Sequence, residues 1–155
     1  RTGDKGTSSL YTGERRAKDD VLFMALGDTD ELNSSLGIAR AHCEAEENGM
    51  TERLAEIQSR LLDVGSAVAT PVDSSSGAKA SRVHFSASNV DDLEAWIDEM
   101  DGELPALRNF ILPSGGLAAS HLHVSRTVCR RAERRVAALV REGKVDEAVG
   151  RYLNR

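Results

Sequence analysis

Five arginines fall within the ten residues from Arg126 to Arg135. On a helix, Arg126, Arg130 and Arg134 form one stripe with Glu133 beside it, and Arg131 and Arg135 widen the basic surface. Guanidinium groups so close together repel one another unless carboxylates or an anion answer them. Their planar forks match phosphate oxygens bidentately, so the chemistry they suit is the holding of a polyanion. A merely solvated basic face is the competing reading. Two features weigh against it. A Gly115-Gly116 turn precedes the helix, and a second cationic, glycine-bearing segment opens the chain from Arg1 to Lys18. That segment carries Gly3, Gly6 and Gly13 among Thr2, Thr7, Ser8, Ser9 and Thr12. Free backbone N–H groups, hydroxyls and cations together are the composition of a phosphate-cradling loop. The G-x-x-x-x-G-K-[ST] pattern is absent, and a flexible N-terminal arm is the alternative.

Other chemistry is not evident. No Ser/His/Asp or Cys/His arrangement suggests a nucleophile of the protein's own. His121 and His123 are two apart on a helix and point to different faces, which suits packing or support rather than metal ligation. Cys43 and Cys129 lie far apart in helical patterns without metal-ligand spacing, and read as buried free thiols in a reducing compartment. No metal centre of the protein's own is expected.

These groups must be positioned by helices. Phe110 to Arg135 opens with an apolar-Pro-Gly turn and continues as one helical pattern. Leu117, His121, Val124, Val128, Ala132 and Val136 trace its expected buried stripe, and it ends near Gly143. Asp19 and Asp20 start an earlier helix whose stripe is Val21, Ala25, Leu32, Leu36, Ala39 and Cys43. Inside it lies the polar block Gly27 to Asn33, either a wet face or a place where Asp30 meets an arginine across a subunit contact. A second helix is expected over 51–68, with Leu54, Ile57, Leu61, Val64 and Val68 at bundle spacing. Pro71 ends it, and a Ser/Gly/Ala-rich loop runs from Thr70 to Arg82. A third helix spans about Asn89 to Met100, capped by Asn89 and stopped at Gly102, and packs Val90, Leu93, Ile97 and Met100. Asp146 caps a last helix through Val149, Tyr152 and Leu153 that has barely begun at Arg155. A truncated last helix is therefore expected. Strand signals are nearly absent, with Arg82 to Ser86 the one weak candidate. The architecture is all-α, an antiparallel helix bundle.

The chain of 155 residues is 40% apolar and 29% charged, with six aromatic residues, so one domain with an aliphatic core is expected. No apolar run approaches the ~20 residues of a membrane span. The chain begins at Arg1 without a methionine, so the lack of a visible targeting segment decides nothing. Net charge is −5, unevenly placed: +3 over residues 1–18, −13 over 19–125, +4 over 126–135 and +1 over 136–155. An acidic body with two separate basic segments disfavours nucleic-acid binding and suits a local site for a small polyanion.

Six motifs occur in order: TGDKG (Thr2–Gly6), TGERR-x-KDD (Thr12–Asp20), TDELNSSLG (Thr29–Gly37), FILPSGG (Phe110–Gly116), RTVCRRAERR (Arg126–Arg135) and YLNR (Tyr152–Arg155). Together they resemble the ATP:cob(I)alamin adenosyltransferases of the ethanolamine- and propanediol-utilisation type, along essentially the whole chain. The resemblance implies a single domain folded as a five-helix bundle of the cobalamin adenosyltransferase kind. Residues 1–18 would form an ATP-binding segment and 19–155 the bundle, assembled as a homotrimer with sites between subunits. The implied reaction transfers the 5′-deoxyadenosyl group of ATP to Co(I) of cobalamin and releases triphosphate, with Mg2+ accompanying ATP.

The resemblance also implies residue roles. ATP contacts fall on Arg1, Thr2, Gly3, Asp4, Lys5, Ser8, Ser9, Lys18, Arg130, Arg131, Ala132, Glu133, Arg134 and Asn154. The reaction would lean on Arg126, Arg130, Glu133, Asp30 and Phe110. Asp30 pairs with Arg126 across the interface, and Phe110 takes the lower face of the corrin, displacing its axial base. A cob(II)alamin reductant and an adenosylcobalamin-dependent mutase are the implied partners. The compartment would be the mitochondrial matrix in a eukaryote and the cytoplasm in a bacterium. The family continues past YLNR with most of a fifth helix. A trimeric corrinoid carrier, handing on adenosylcobalamin without turnover, is the alternative.

Overall fold

The computed structural model describes residues 2–72 and 82–155. Among them are five helices and one small hairpin. Strand β1, Thr7–Ser9, pairs antiparallel with β2, Arg15–Ala17, in the register Thr7↔Ala17, Ser8↔Arg16, Ser9↔Arg15. The near absence of strand signals thus misses this element. Its three-residue strands are Thr-Ser-Ser and Arg-Arg-Ala, so no period-two hydrophobic pattern announces them. The tip closes through Leu10 N–H to the Glu14 carbonyl at 2.9 Å and Gly13 N–H to the Leu10 carbonyl at 3.0 Å. Gly13 has φ of +92°, a conformation that favours glycine. Leu10 is buried in the core, and Tyr11 N–H reaches the Ala69 carbonyl, so the hairpin is tied to the bundle rather than trailing from it.

Helix α1 spans Val21–Ala45 and starts as expected: the Asp20 carboxylate accepts from Leu22 N–H at 2.8 Å. Its buried stripe is Leu22, Ala25, Thr29, Leu32, Leu36, Ala39 and Cys43. Leu22 rather than Val21 is the buried residue at its start, and Thr29 joins the stripe with its hydroxyl donating to the Ala25 carbonyl at 2.8 Å. Helix α2, Thr51–Val68, buries Leu54, Leu61, Val64 and Val68 at the expected spacing, with Ile57 partly buried. Pro71 follows in a buried position, and most of the Ser-rich loop beyond it lies outside the described residues. Arg82 to Ser86 is not a strand; it carries Phe85, a buried plug set edge-on to Tyr152 at 5.1 Å between ring centroids.

Helix α3, Ser88–Glu103, runs past Gly102 and begins after Ala87 rather than at Asn89. A single glycine inside a helix costs only about 1 kcal/mol relative to alanine, too little to stop it. Of its apolar residues only Val90 is fully buried. Residues 104–115 are non-helical and hold Leu104, Leu107, Phe110, Ile111 and Leu112 exposed. Gly115 and Gly116, with φ of +107° and +88°, turn this segment into helix α4, Gly116–Arg141. The stripe buried along α4 is Ala118, Ser125, Val128, Ala132, Val136 and Leu139. The expected stripe is wrong in its first half, where Leu117 and Val124 are exposed and His121 half-buried. There α4 meets α1 through small residues: Ser35 Oγ donates to Ser125 Oγ at 3.0 Å, a close approach that larger apolar side chains would prevent. His121 stacks on His42 with ring centroids 5.0 Å apart, as a packing residue. Helix α5, Glu147–Asn154, is capped by Asp146, which accepts from Ala148 N–H at 2.7 Å, and buries Ala148, Val149, Tyr152 and Leu153.

Helix α1 is the central element, packed along α4 on one side and α2 on the other, while α5 packs on α4 and α3. The five-helix bundle is as expected, with the hairpin added. No helix among the described residues is long and apolar enough to cross a membrane.

Candidate functional site

Of residues 1–18 only Tyr11 reaches one cleft, whereas Arg126 and Arg130 line another. The first cleft, about 590 Å³, lies between the hairpin, α1 and α2; Tyr11, Thr29, Asp30, Asn33 and Ser66 are among its walls. The second, about 420 Å³, runs between the helices with an apolar floor that includes Leu32, Ile57 and Trp96. Its polar end brings together Arg126, Arg130, Glu133 and Asn154. Neither lining includes a residue of the other basic segment.

At the N-terminus, Gly6 N–H bonds to the Gly3 carbonyl at 3.2 Å, and Lys18 N–H to the Gly6 carbonyl at 2.9 Å. The turn from Thr2 to Gly6 is thereby folded back onto Lys18. A Cβ on Gly3 would lie 3.3 Å from the Lys18 ammonium, so Gly3 and Lys18 are neighbours. Thr2, Asp4 and Lys5 are exposed on this turn, and Arg1 lies outside the described residues. The hairpin register separates Ser8 from Ser9. Ser9 shares a face with Thr7 and Arg15, whereas Ser8 shares the other with Arg16. Arg16 pairs with Glu14 at 2.8 Å and Asp20 at 3.6 Å. Arg15 donates to the Thr2 carbonyl at 2.9 Å, to the Thr7 hydroxyl, and to the Ser9 hydroxyl at 3.4 Å. Composition alone passes over Arg15; its only sequence signal is its place in TGERR.

Along α4 the arginines divide. Arg131 turns to α1, donating to Asp28 at 3.1 Å and to Glu31, and Arg135 approaches Asp28 at 3.7 Å. The polar block of α1 is thus a docking strip for this half of the arginine cluster. Arg131, grouped by resemblance with the nucleotide contacts, spends its guanidinium on carboxylates of α1 at the bundle surface. Its hydrogen bond to Glu31, ahead of Asp28, raises it above the ordinary guanidinium range. Ala132 is fully buried in the core, so its methyl packs rather than facing a ligand. Arg126, Arg130 and Arg134 are exposed and carry no carboxylate partner among the described residues. Glu133 accepts from the Asn154 amide at 2.7 Å, which joins α4 to α5 at the cleft.

Asp30 is exposed on the first cleft and Arg126 on the second, and no pair forms between them within the chain. Phe110 is fully exposed on the segment before α4. Cys129, in the second cleft, donates its thiol to the Leu153 carbonyl at 3.3 Å. Burial pushes that thiol up to about 11, with Glu133 adding and Arg130 opposing. Arg53 and Trp96, neither foreseen, line the same cleft, with Arg53 paired to Glu99 at 2.6 Å and 5.8 Å from the Trp96 ring centroid. Among the described residues no three His, Cys, Asp or Glu side chains converge to hold a metal ion.

A family model for cobalamin adenosyltransferases matches residues 1–155. The chain belongs to the cobalamin adenosyltransferase family. Corrinoid adenosyltransferase MMAB of Mus musculus is 50% identical over 155 residues, all of this chain and 65% of the relative. The Homo sapiens protein of the same name is also 50% identical, over 62% of its length. The chain thus spans just under two thirds of the length of these animal relatives of the cobalamin adenosyltransferase family. A Mycobacterium leprae corrinoid adenosyltransferase is 39% identical over all of this chain and 82% of its own. Among solved structures, a phenylalanine-to-alanine variant of the PduO-type ATP:corrinoid adenosyltransferase from Lactobacillus reuteri, complexed with cobalamin and ATP, superposes with a TM-score of 0.87. It is 34% identical, covering 98% of this chain and 82% of that one.

Proposed function

We propose that this chain transfers the 5′-deoxyadenosyl group of ATP to Co(I) of cobalamin, giving adenosylcobalamin and triphosphate. Its relatives are named corrinoid adenosyltransferases, and a solved neighbour binds cobalamin and ATP. The observation that carries the reading here is the division of the arginines. Asp28 and Glu31 answer Arg131 and Arg135, which leaves Arg126, Arg130 and Arg134 without a carboxylate partner among the described residues, and Arg126 and Arg130 share a cleft with Asn154.

The chemistry asks for this. The cobalt electron pair forms a bond to C5′ while the C5′–O bond breaks, and the electrons leave with triphosphate. Cations set in advance around the leaving group stabilise the charge it gains. The nucleophile belongs to the corrinoid substrate, so the protein needs none of its own. Mg2+ enters with the phosphates of ATP rather than in a protein cage. Residues 1–18 form the nucleotide segment and 19–155 the bundle of one domain.

The cleft of Arg126, Arg130 and Asn154 takes no residue from 1–18, and we read the complete site as joining Gly3, Lys18 and Asp30 of one subunit to Arg126, Arg130 and Asn154 of the next, in a homotrimer. Asp30 then meets Arg126 between subunits. Phe110, on an exposed apolar segment, lies against the lower corrin face, excluding an axial ligand and easing reduction to Co(I). A dedicated reductant and a client mutase complete the setting. The test is incubation with Mg-ATP and chemically reduced cobalamin. Adenosylcobalamin absorbance with stoichiometric triphosphate is expected. Binding of both substrates without turnover would favour a corrinoid carrier instead.

A further inference from the structure

We infer that Arg15 is a positioning residue for the triphosphate, and that it turns Thr7 and Ser9 into phosphate donors. This rests on the adenosyl-transfer reading and extends its nucleotide site to two residues, Arg15 and Thr7. The geometry is specific. The guanidinium of Arg15 spans the Thr2 carbonyl at 2.9 Å, the Thr7 hydroxyl, and the Ser9 hydroxyl at 3.4 Å. Arginine can only donate, whereas a hydroxyl both donates and accepts. When Thr7 and Ser9 accept from Arg15, their own O–H bonds must be aimed elsewhere. What they then need is an acceptor, and phosphate oxygens are acceptors only.

The same contact folds the N-terminal turn. Holding the Thr2 carbonyl ties the start of the turn to β2, while Gly6 and Lys18 tie its end. The hairpin register puts Thr7, Ser9 and Arg15 on one face, so these groups present one surface rather than three unrelated ones. Of the five N–H bonds of the guanidinium, those not used on Thr2, Thr7 and Ser9 remain for the anion itself. The class of ligand is therefore the polyphosphate end of a nucleotide. Adenine and ribose are not addressed by this face.

The experiment compares wild type, Arg15→Gln, Arg15→Lys and Thr7→Val, using inorganic triphosphate and adenosine as separate inhibitors of adenosyl transfer. Helical circular dichroism and hydrogen exchange of the hairpin serve as folding controls. Loss of charge-assisted bonds should raise the triphosphate inhibition constant of Arg15→Gln by roughly ten- to hundredfold. Thr7→Val should raise it by about three- to tenfold, as for one hydrogen bond. Adenosine inhibition should hold in both, and the effect on KM for ATP should exceed that on kcat. Arg15→Lys should recover only part of the triphosphate affinity, because a single ammonium cannot span three acceptors. Equal weakening of adenosine and triphosphate would overturn the inference and make Arg15 a scaffold. So would unchanged triphosphate inhibition in Arg15→Gln, or full recovery in Arg15→Lys. A wild-type chain that neither transfers adenosyl nor binds triphosphate would instead overturn the adenosyl-transfer reading, and this inference with it.

Discussion

Replacing Phe110 by alanine should separate stability from corrinoid handling. Phe110 is fully exposed, and its neighbours Ile111 and Leu112 are exposed as well. Truncating it removes no core contact, so stability should change by no more than about 0.5 kcal/mol. For a chain of this size that is a shift in Tm of about 1–2 °C. The corrinoid should feel far more. A ring laid flat on the macrocycle hides about 100 Å² of apolar surface, part of the 150–250 Å² that an aromatic side chain can bury. At about 25 cal/mol per Å² this is ~2.5 kcal/mol, or roughly 70-fold in cobalamin affinity. The opened space also readmits an axial ligand, so the spectroscopic signature of four-coordinate cob(II)alamin should vanish while KM for ATP stays near wild type. The assay pairs thermal unfolding of the free protein with cobalamin titration and the cobalt spectrum in the presence of Mg-ATP. A fall in Tm beyond about 4 °C would show Phe110 packed in the free protein. An unperturbed cobalt spectrum with unchanged cobalamin affinity would refute the reasoning.

Arg130→Ala should chiefly impair ATP handling, by about ten- to hundredfold in KM or kcat/KM, as expected for charge-assisted bonds; wild-type ATP kinetics would remove it from the site. Asp30→Asn and Arg126→Lys should be strongly non-additive in a double-mutant cycle of activity, whereas simple additivity would mean no pair across the interface. The Cys129 thiol is pushed from an ordinary 9.0 to about 11, chiefly by burial, so the unfolded chain ionises first as pH rises. Its contribution to stability should be complete below pH 9 and lost as pH rises through 11, a slope that Cys129→Ser should abolish. In a Cys43→Ala background, native alkylation at pH 8 should run about a hundredfold slower than in the unfolded chain, and equal rates would place the thiolate in solvent.

Much of the bundle is legible in the sequence because its signals are local. Asp20 and Asp146 cap the helices that the pattern assigns to them, and the leucines and valines of α2 repeat at bundle spacing. Where tertiary contact decides, the reading fails. The buried face of α4 begins at Ala118 and Ser125 because α1 approaches closely there, and hydrophobicity favoured Leu117 and Val124 instead. The hairpin is invisible because its order comes from Arg15 and the buried Leu10 rather than from alternation. The arginine cluster is legible as a basic surface of one helix, but its division is not. Only the fold brings Asp28 and Glu31 to Arg131, and only the fold buries Ala132. The separation of residues 1–18 from the cleft of Arg126 and Arg130 is likewise a property of packing, since the residues are far apart in sequence either way.

The most direct test of a site shared between subunits is complementation. Lys18→Ala and Arg130→Ala chains, each assayed at an ATP concentration where it alone transfers adenosyl at least about tenfold more slowly than wild type, are unfolded together and refolded as a one-to-one mixture. In a cyclic trimer with random assembly, about a quarter of the interfaces pair an intact N-terminal segment with an intact arginine helix. Adenosylcobalamin formation at about a quarter of the wild-type rate is the expected result. If the mixture stays as slow as its components while refolded wild type recovers, each site lies within one chain, and the shared-site account is wrong.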